Sequence, residues 1–329
     1  MRIVQLYGDA KRGWTLSKYA YVPIDQKLTA DTSDLGRKRL GEAILGAVVQ
    51  AGIKTKNVAV GLPATKTFTS VVETDTLPEK EIEKSFKYEI DKYVPMAIND
   101  AKADYIVLGP SPNDPAKTEI LVSSVSKEYA EQTMETIEKT GLNIIAMEPE
   151  PLAMARSLAI PGSMDANLIV DFGEKSTDLV IVYQNQPRLV RSIPGGFGQL
   201  IKAVAGGLDV REDQARQFIL KFGLANDKVD GQVFKILSAS LDNYASELAK
   251  SIRFFQTKYI NGRVGGIILS GFASMIPFFC EYIEAKSGVP TMKGNPWQSV
   301  RTTPEQQSAL TNVASEFAVV IGLSERSND

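Results

Sequence analysis

Residues 168–196 read LIVDFGEKSTDLVIVYQNQPRLVRSIPGG, and the fold turns on how this stretch divides. A short apolar run (Leu168–Val170) leads into a polar octapeptide (Asp171–Asp178) and a second apolar run (Leu179–Tyr183). A turn (Gln184–Pro187) and a third run (Arg188–Ile193) follow, closed by Gly195-Gly196. Short β-type runs punctuated by turn residues predict a three-stranded meander opening onto a helix. The N-terminus repeats the later half of that plan. RIVQLYGDAKRGWTLSKYAYV (Arg2–Val22) reads strand (Arg2–Tyr7), turn (Gly8–Gly13) and strand (Trp14–Val22), with a helix around Leu35–Ala51. Aligned by eye, Met1 falls near Asp178, so the counterpart of Leu168–Thr177 would lie before the first residue. Two such units predict a two-lobed α/β protein with a phosphate held between paired first hairpins, of which this sequence shows one.

Working outward, the rest of the chain alternates strands with helices. Val58–Leu62, Phe68–Val72, Tyr105–Leu108, Ile120–Ser123 and Ile267–Leu269 read as further strands. Glu79–Val94 reads as a helix with Ile82, Phe86, Ile90 and Tyr93 on one face. Thr76-Leu77-Pro78-Glu79 predicts a capping box at its start, and Pro95 ends it. The turn-rich run 158–163 predicts a lobe boundary, giving lobes 1–160 and 161–329. An inserted subdomain is expected over about 64–145, and a C-terminal helix over about 305–323 packs back toward the first lobe.

Composition excludes several kinds of chemistry. The 329 residues carry 37 Lys+Arg against 39 Asp+Glu, a net charge of −2 that offers no chain-wide attraction to nucleic acid or anionic lipid. No apolar run reaches the roughly 18–20 residues of a membrane span, and the start has no signal-peptide core. A cytoplasmic protein is expected, touching a membrane only through partners. There is no histidine, which removes imidazole acid–base steps and His-ligated metals. Cys280 is the one cysteine, in the apolar stretch 276–283, and reads as core filler.

Four stretches carry possible site chemistry, each with a plain structural alternative. The Asp171–Asp178 loop can aim backbone N–H groups at phosphate oxygens, Ser176 and Thr177 adding hydroxyl donors, or it is an ordinary hairpin turn. Asp171 at the strand end can hold Mg²⁺ through water. Glu150, before a helix, either polarises water in a cleft or complements the helix dipole. Glu247, Lys250 and Ser251 share a helix face able to meet ribose and a purine edge, or form a surface Glu–Lys pair. Gly271, ending a strand, allows backbone to approach a base or phosphate.

In this order the pieces resemble the actin/Hsp70/FtsA superfamily, and within it the PilM family over essentially the whole chain. The matching stretches are Leu77–Pro95 (LPEKEIEKSFKYEIDKYVP), Asp104–Gly109, Gly141–Ala155, Ile169–Val182, Ile193–Gly198, Val289–Val300 and Phe317–Arg326. The resemblance implies an actin-like (ribonuclease H-like) ATPase fold with an inserted α+β subdomain in the first lobe. It further implies ATP with Mg between the lobes, acting as a conformational ligand rather than as fuel for turnover. Asp171, Gly173, Lys175, Ser176, Thr177, Gly195, Gly196, Glu247, Lys250, Ser251 and Gly271 would hold the nucleotide, Asp171 the Mg. Glu150 and Asp171 are the weak catalytic candidates.

The expected partners are the cytoplasmic N-terminal peptide of PilN, gripped beside the insert, and other platform proteins of the type IV pilus; self-association stays open. This sequence departs from the family pattern twice. The family's opening strand and Gly/Ser loop are missing before Met1, so the chain reads as N-terminally truncated or lacking the first phosphate loop. Gly271-Phe272-Ala273 also lacks two glycines of the adenosine loop. Two alternatives remain: an FtsA-like filament former, which would carry a basic amphipathic C-terminal helix, and a small-molecule kinase, for which no base is found beside a sugar pocket.

Overall fold

A computed structural model describes residues 1–9, 11–311 and 313–326. The first lobe opens with the hairpin β1 (Arg2–Asp9) and β2 (Gly13–Tyr21), then α1 (Gln26–Ala30), α2 (Asp34–Gln50) and β3 (Asn57–Leu62). The insert adds β4 (Thr67–Asp75), α3 (Glu79–Glu89), β5 (Ala101–Pro110) and β6 (Lys117–Ser126). α4 (Lys127–Glu138), β7 (Asn143–Pro149) and α5 (Glu150–Leu158) return to the first lobe. The second lobe comprises β8 (Ala166–Phe172), β9 (Ser176–Tyr183), β10 (Gln186–Pro194), α6 (Phe197–Leu208), α7 (Glu212–Phe222), α8 (Gln232–Lys258), β11 (Val264–Gly271) and α9 (Phe279–Ser287). β12 (Thr291–Lys293) completes its sheet, while β13 (Val300–Arg301), α10 (Pro304–Leu310) and α11 (Ala318–Ser324) return to the first lobe, where β13 pairs with β2 and α11 packs on α5 and β1.

The second-lobe sheet runs β10-β9-β8-β11-β12, with β8 central, antiparallel to β9 and parallel to β11. The inner strands β8 and β9 are buried on both faces, as their continuous apolar runs require. α8 lays Val233, Leu237, Leu241, Tyr244, Leu248, Ile252 and Phe255 against this core, a three- and four-residue stripe. Each such side chain contributes about 1.5–3 kcal/mol by leaving water.

The first lobe uses the same plan with a gap. β2 pairs with β1 on one side and β13 on the other, and β3 pairs in parallel with β7, but among the described residues no ladder joins the two pieces. In the second lobe that place, between the hairpin and the parallel pair, belongs to β8. The divided sheet is held from its faces instead. Ile3 joins Val58 and Val60 beside Val48 of α2, while Val4 and Leu6 pack toward Phe317 and Ile321. Ser324 of α11 donates its hydroxyl to the Val4 carbonyl at 3.2 Å, satisfying one edge group of β1.

Three local expectations change. The Thr76 capping box does not form: Thr76 donates to the Ala116 carbonyl (2.9 Å), and Pro78 is the N-cap with no side-chain bond. The helix expected over 305–323 is two helices, α10 and α11, broken by a 3₁₀ turn (Ala314–Phe317) that buries Phe317 and lets Ser270 reach the Ser315 carbonyl. Within the stretch read as the insert, α4 packs on α2 and β7, so it serves as the crossover helix between β3 and β7. The part standing apart is the β4-β6-β5 sheet with α3, whose Ile82, Phe86 and Ile90 cover Ile120 and Val122.

Candidate functional site

The cleft forms where parallel strands end. Ser270 lies opposite Asp171 and Gly271 opposite Phe172, so β8 and β11 open on one rim, the usual ligand side of such sheets. Gly271 has φ +64°, and a Cβ there would stand 2.4 Å from an Asp171 carboxylate oxygen. Only glycine fits at that approach.

The hairpin loop is tighter than the sequence suggests, since β8 continues to Phe172 and β9 starts at Ser176. Much of its donor capacity is spent internally. Gly173 N–H donates to Ser176 O (3.0 Å), and Gly195 N–H donates to Lys175 O (3.0 Å). Phe197 and Gly198 N–H groups donate to the carbonyls of Gly173 and Glu174 (2.9 and 3.0 Å). Gly196 closes on the loop so nearly that a Cβ would meet Gly173 O at 2.2 Å. Thr177, expected as a phosphate donor, is buried and gives its hydroxyl to Gly195 O at 3.0 Å. Lys175 is exposed at the loop tip, and Ser176 bonds toward Asp178.

The rim is rich in carboxylates. Burial pushes Asp171 up to about 6, and the Asp178 charge adds to the effect. Glu150, at the start of α5 and against Gly61, is pushed up to about 7 by burial, then by Asp178 and Asp171. Burial also raises Asp178, opposed by the Ser192 hydroxyl donating to it at 2.6 Å. The cation offsetting the Glu150 and Asp171 charges is Arg2 of β1, which sequence reading missed; it also pairs with buried Glu316. β1 and β9 are both eight residues long, so counting from their turns puts Arg2 where the second lobe has Ser176, about three residues earlier than the alignment by eye that set Met1 near Asp178. Nothing local to Met1-Arg2 signals this role; the hairpin correspondence does. Among the described residues no three acidic groups are placed to hold a metal ion unaided. A cation beside Asp171 would favour its charged form, which burial and then the Asp178 charge disfavour.

The expected adenosine face is engaged elsewhere. Glu247 pairs with Lys250 (2.7 Å) and Arg191 (3.5 Å), and Ser251, fully buried, accepts from Arg191 at 2.8 Å. Arg188 is a buried cation in β10, and that cost was the available signal of a carboxylate partner, whereas Arg191 is partly exposed. After Gly271, Phe272 fills the space that a glycine would leave open. Its ring stacks on Phe197 at 4.6 Å and 13°, under Arg216, which pairs with Glu174 of the hairpin (3.1 Å). Glu148 is tied to Arg156 at 2.6 Å and is not a cleft group.

A separate cavity of about 680 Å³ lies between the insert and α4, lined by Asn99, Asp100, Ser126, Lys127, Glu128, Glu131, Gln132 and Glu135. Beside it runs β5, which pairs only with β6 among the described residues and exposes Ile106 and Val107.

The repeated meander, the cleft at the strand ends and the insert define an actin-like two-lobed α/β protein. The chain belongs to the family of type IV pilus assembly protein PilM, whose model matches residues 1–328. Its fold is similar to that of a chain in a PilM–PilN type IV pilus biogenesis complex, with TM-score 0.81 and 21% identity over 98% of this chain and 94% of that one. It is also similar to the ethanolamine utilization protein EutJ from Carboxydothermus hydrogenoformans, with TM-score 0.54 and 12% identity over 99% and 90% of the two chains. No described helix is long and apolar enough to cross a membrane.

Proposed function

We propose that this chain is a cytoplasmic adaptor of the type IV pilus inner-membrane platform, holding the N-terminal peptide of PilN between the insert and the first lobe. The observation that carries this reading is the family match over residues 1–328, joined to the likeness to a PilM–PilN complex. The cavity at α4 has the size and place for a peptide. Asp100, Glu128, Glu131 and Glu135 outnumber Lys127 on its walls, which favours a segment carrying Lys or Arg. The free edge of β5 offers backbone pairing and the apolar Ile106 and Val107 as anchors. Membrane contact then runs through PilN and the other platform proteins.

The cleft is a second, weaker ligand site for Mg-ATP. Asp171 would hold Mg through water, while Lys175, Ser176 and the Gly271 turn meet phosphate and base. Nucleotide there biases how the lobes close and is not turned over as the chain's main business. Calorimetric titration of the full chain with the PilN N-terminal peptide tests the adaptor reading. Saturable binding that falls at least tenfold in E128K/E131K supports it. Absence of binding overturns the adaptor reading, and equal affinity in the variant overturns the groove.

A further inference from the structure

At the far end of β11 from the cleft, α8, the start of β11 and the turn after α9 enclose a second cavity of about 310 Å³. Seven residue steps of about 3.3 Å put it roughly 23 Å from Gly271, clear of the nucleotide rim. It is also distinct from the groove at α4, whose residues it does not share.

Its composition is that of an amphipathic anion site. Ile252 and Val264, both buried, and Val289 form an apolar floor that belongs to the second-lobe core. Arg253 and Gln256 stand one turn apart on α8, and Arg263 comes from the loop before β11. Among the described residues neither arginine has a carboxylate within 4.0 Å, although most arginines of this chain are paired. The nearby charges are engaged elsewhere. Lys250 bonds Glu247 at 2.7 Å and Glu284 accepts from Thr291 N at 3.0 Å, while the Asp165 carboxylate, beside Gly265, lies beyond ion-pair distance of either arginine. Arg253 and Arg263 both line this cavity without an ion-pair partner, and a carboxylate seated there can take bidentate hydrogen bonds from a guanidinium group.

The geometry points to a docking site for an acidic–apolar peptide segment of a partner protein. One carboxylate spans Arg253 and Arg263 while a neighbouring aliphatic or aromatic side chain covers the Ile252–Val264 floor. Inorganic phosphate would use the arginines but not the floor, and an anionic membrane would need a broad surface rather than a pocket. Phe254 and Ile260, exposed beside Arg253 and three residues before Arg263, extend the apolar contact available to the peptide.

The test is fluorescence polarisation of the full chain with a labelled, end-capped peptide, Glu-Leu-Asp-Phe-Glu-Leu, in 50 mM salt. Saturable binding is expected, weakened at least tenfold when the three acids become Gln and Asn, and at least fivefold when Leu and Phe become Ala. R253E and R263E should each weaken it at least tenfold with melting temperatures unchanged, since both side chains are exposed. Equal binding of the amide peptide overturns the proposal without any protein variant. So does equal binding of the Ala peptide together with displacement by 10 mM phosphate, which marks a simple anion site. Retention of binding in R253E/R263E, or arginine-dependent binding to phosphatidylglycerol vesicles without binding to the peptide, overturns it as well.

Discussion

Arg188 of β10 and Glu119 of β6 form an ion pair buried where the insert meets the second lobe. Tyr259 at the end of α8 donates to Glu119 at 2.8 Å, and Lys258 reaches both Glu119 (3.7 Å) and the Val71 carbonyl (3.1 Å). Asn113 of the insert donates to the Lys258 carbonyl at 2.6 Å. The insert, although it interrupts the first lobe in sequence, is thus fastened to the second. Asp100 of the proposed groove belongs to this fastened insert and Glu131 to α4 of the first lobe, so the two walls are anchored to different lobes.

The pair sets the first prediction. Removing one member strands a charge in a dry contact, a cost of about 3–5 kcal/mol. R188M and E119L should each lower stability on that scale in urea denaturation. The double variant E119L/R188M should lose less than the sum by at least about 1 kcal/mol. Additive losses would mean that the two side chains act independently.

The second prediction concerns acid. Glu150 titrates near its ordinary 4.5 when the chain is unfolded and near 7 in the fold. Between those values the folded protein holds more protons, so stability declines as pH rises through about 4.5 to 7. Asp171 acts in the same sense from 3.8 to about 6. E150Q should flatten the upper part of that decline and raise the melting temperature at pH 8 by about 2–4 °C, the size of a 1 kcal/mol gain. Identical pH profiles would place the Glu150 charge in solvent.

Mg-ATP is expected to bind this chain weakly. The N–H groups of Gly173 and Gly195 and the Thr177 hydroxyl are already satisfied, and Phe272, next to Gly271, is stacked on Phe197. A dissociation constant above 1 mM means that 1 mM nucleotide adds less than about 0.4 kcal/mol. Differential scanning fluorimetry should show a shift below about 1 °C. A rise of several degrees would show that the cleft opens further than this arrangement.

Residues with apolar spacing were the legible ones. The meander at 168–196, its echo at Arg2–Val22 and the Ile82–Phe86–Ile90 face follow from periodicity, because burial of one face imposes it. The polar partnerships did not follow. Arg2 meets the charges of Glu150 and Asp171 across the cleft, Arg191 takes Glu247 and Ser251, and Arg188 finds Glu119 sixty-nine residues away. Such pairings depend on which elements the topology brings together, which no local pattern encodes. The same holds for Thr76, whose cap-like position lost to a hydroxyl bond with Ala116 O across the insert.

The last prediction separates binding from folding in α3. Ile82, Phe86 and Ile90 are buried against the insert sheet, whereas Glu81 and Lys84 point to solvent, so exchanging their charges leaves the packed face untouched. E81K/K84E should therefore change stability by less than about 0.5 kcal/mol, the usual range for exposed positions. α3 belongs to the insert that walls the proposed groove, and exchanging these two charges, which inverts their local arrangement at constant net charge, should disturb docking through electrostatic complementarity more than through contact. A drop of at least threefold in affinity for the PilN peptide at low salt, shrinking as salt screens the charges over about 10 Å, is the expected result. Unchanged affinity at 50 mM salt would remove α3 from the docking surface and leave the groove at α4 to act alone.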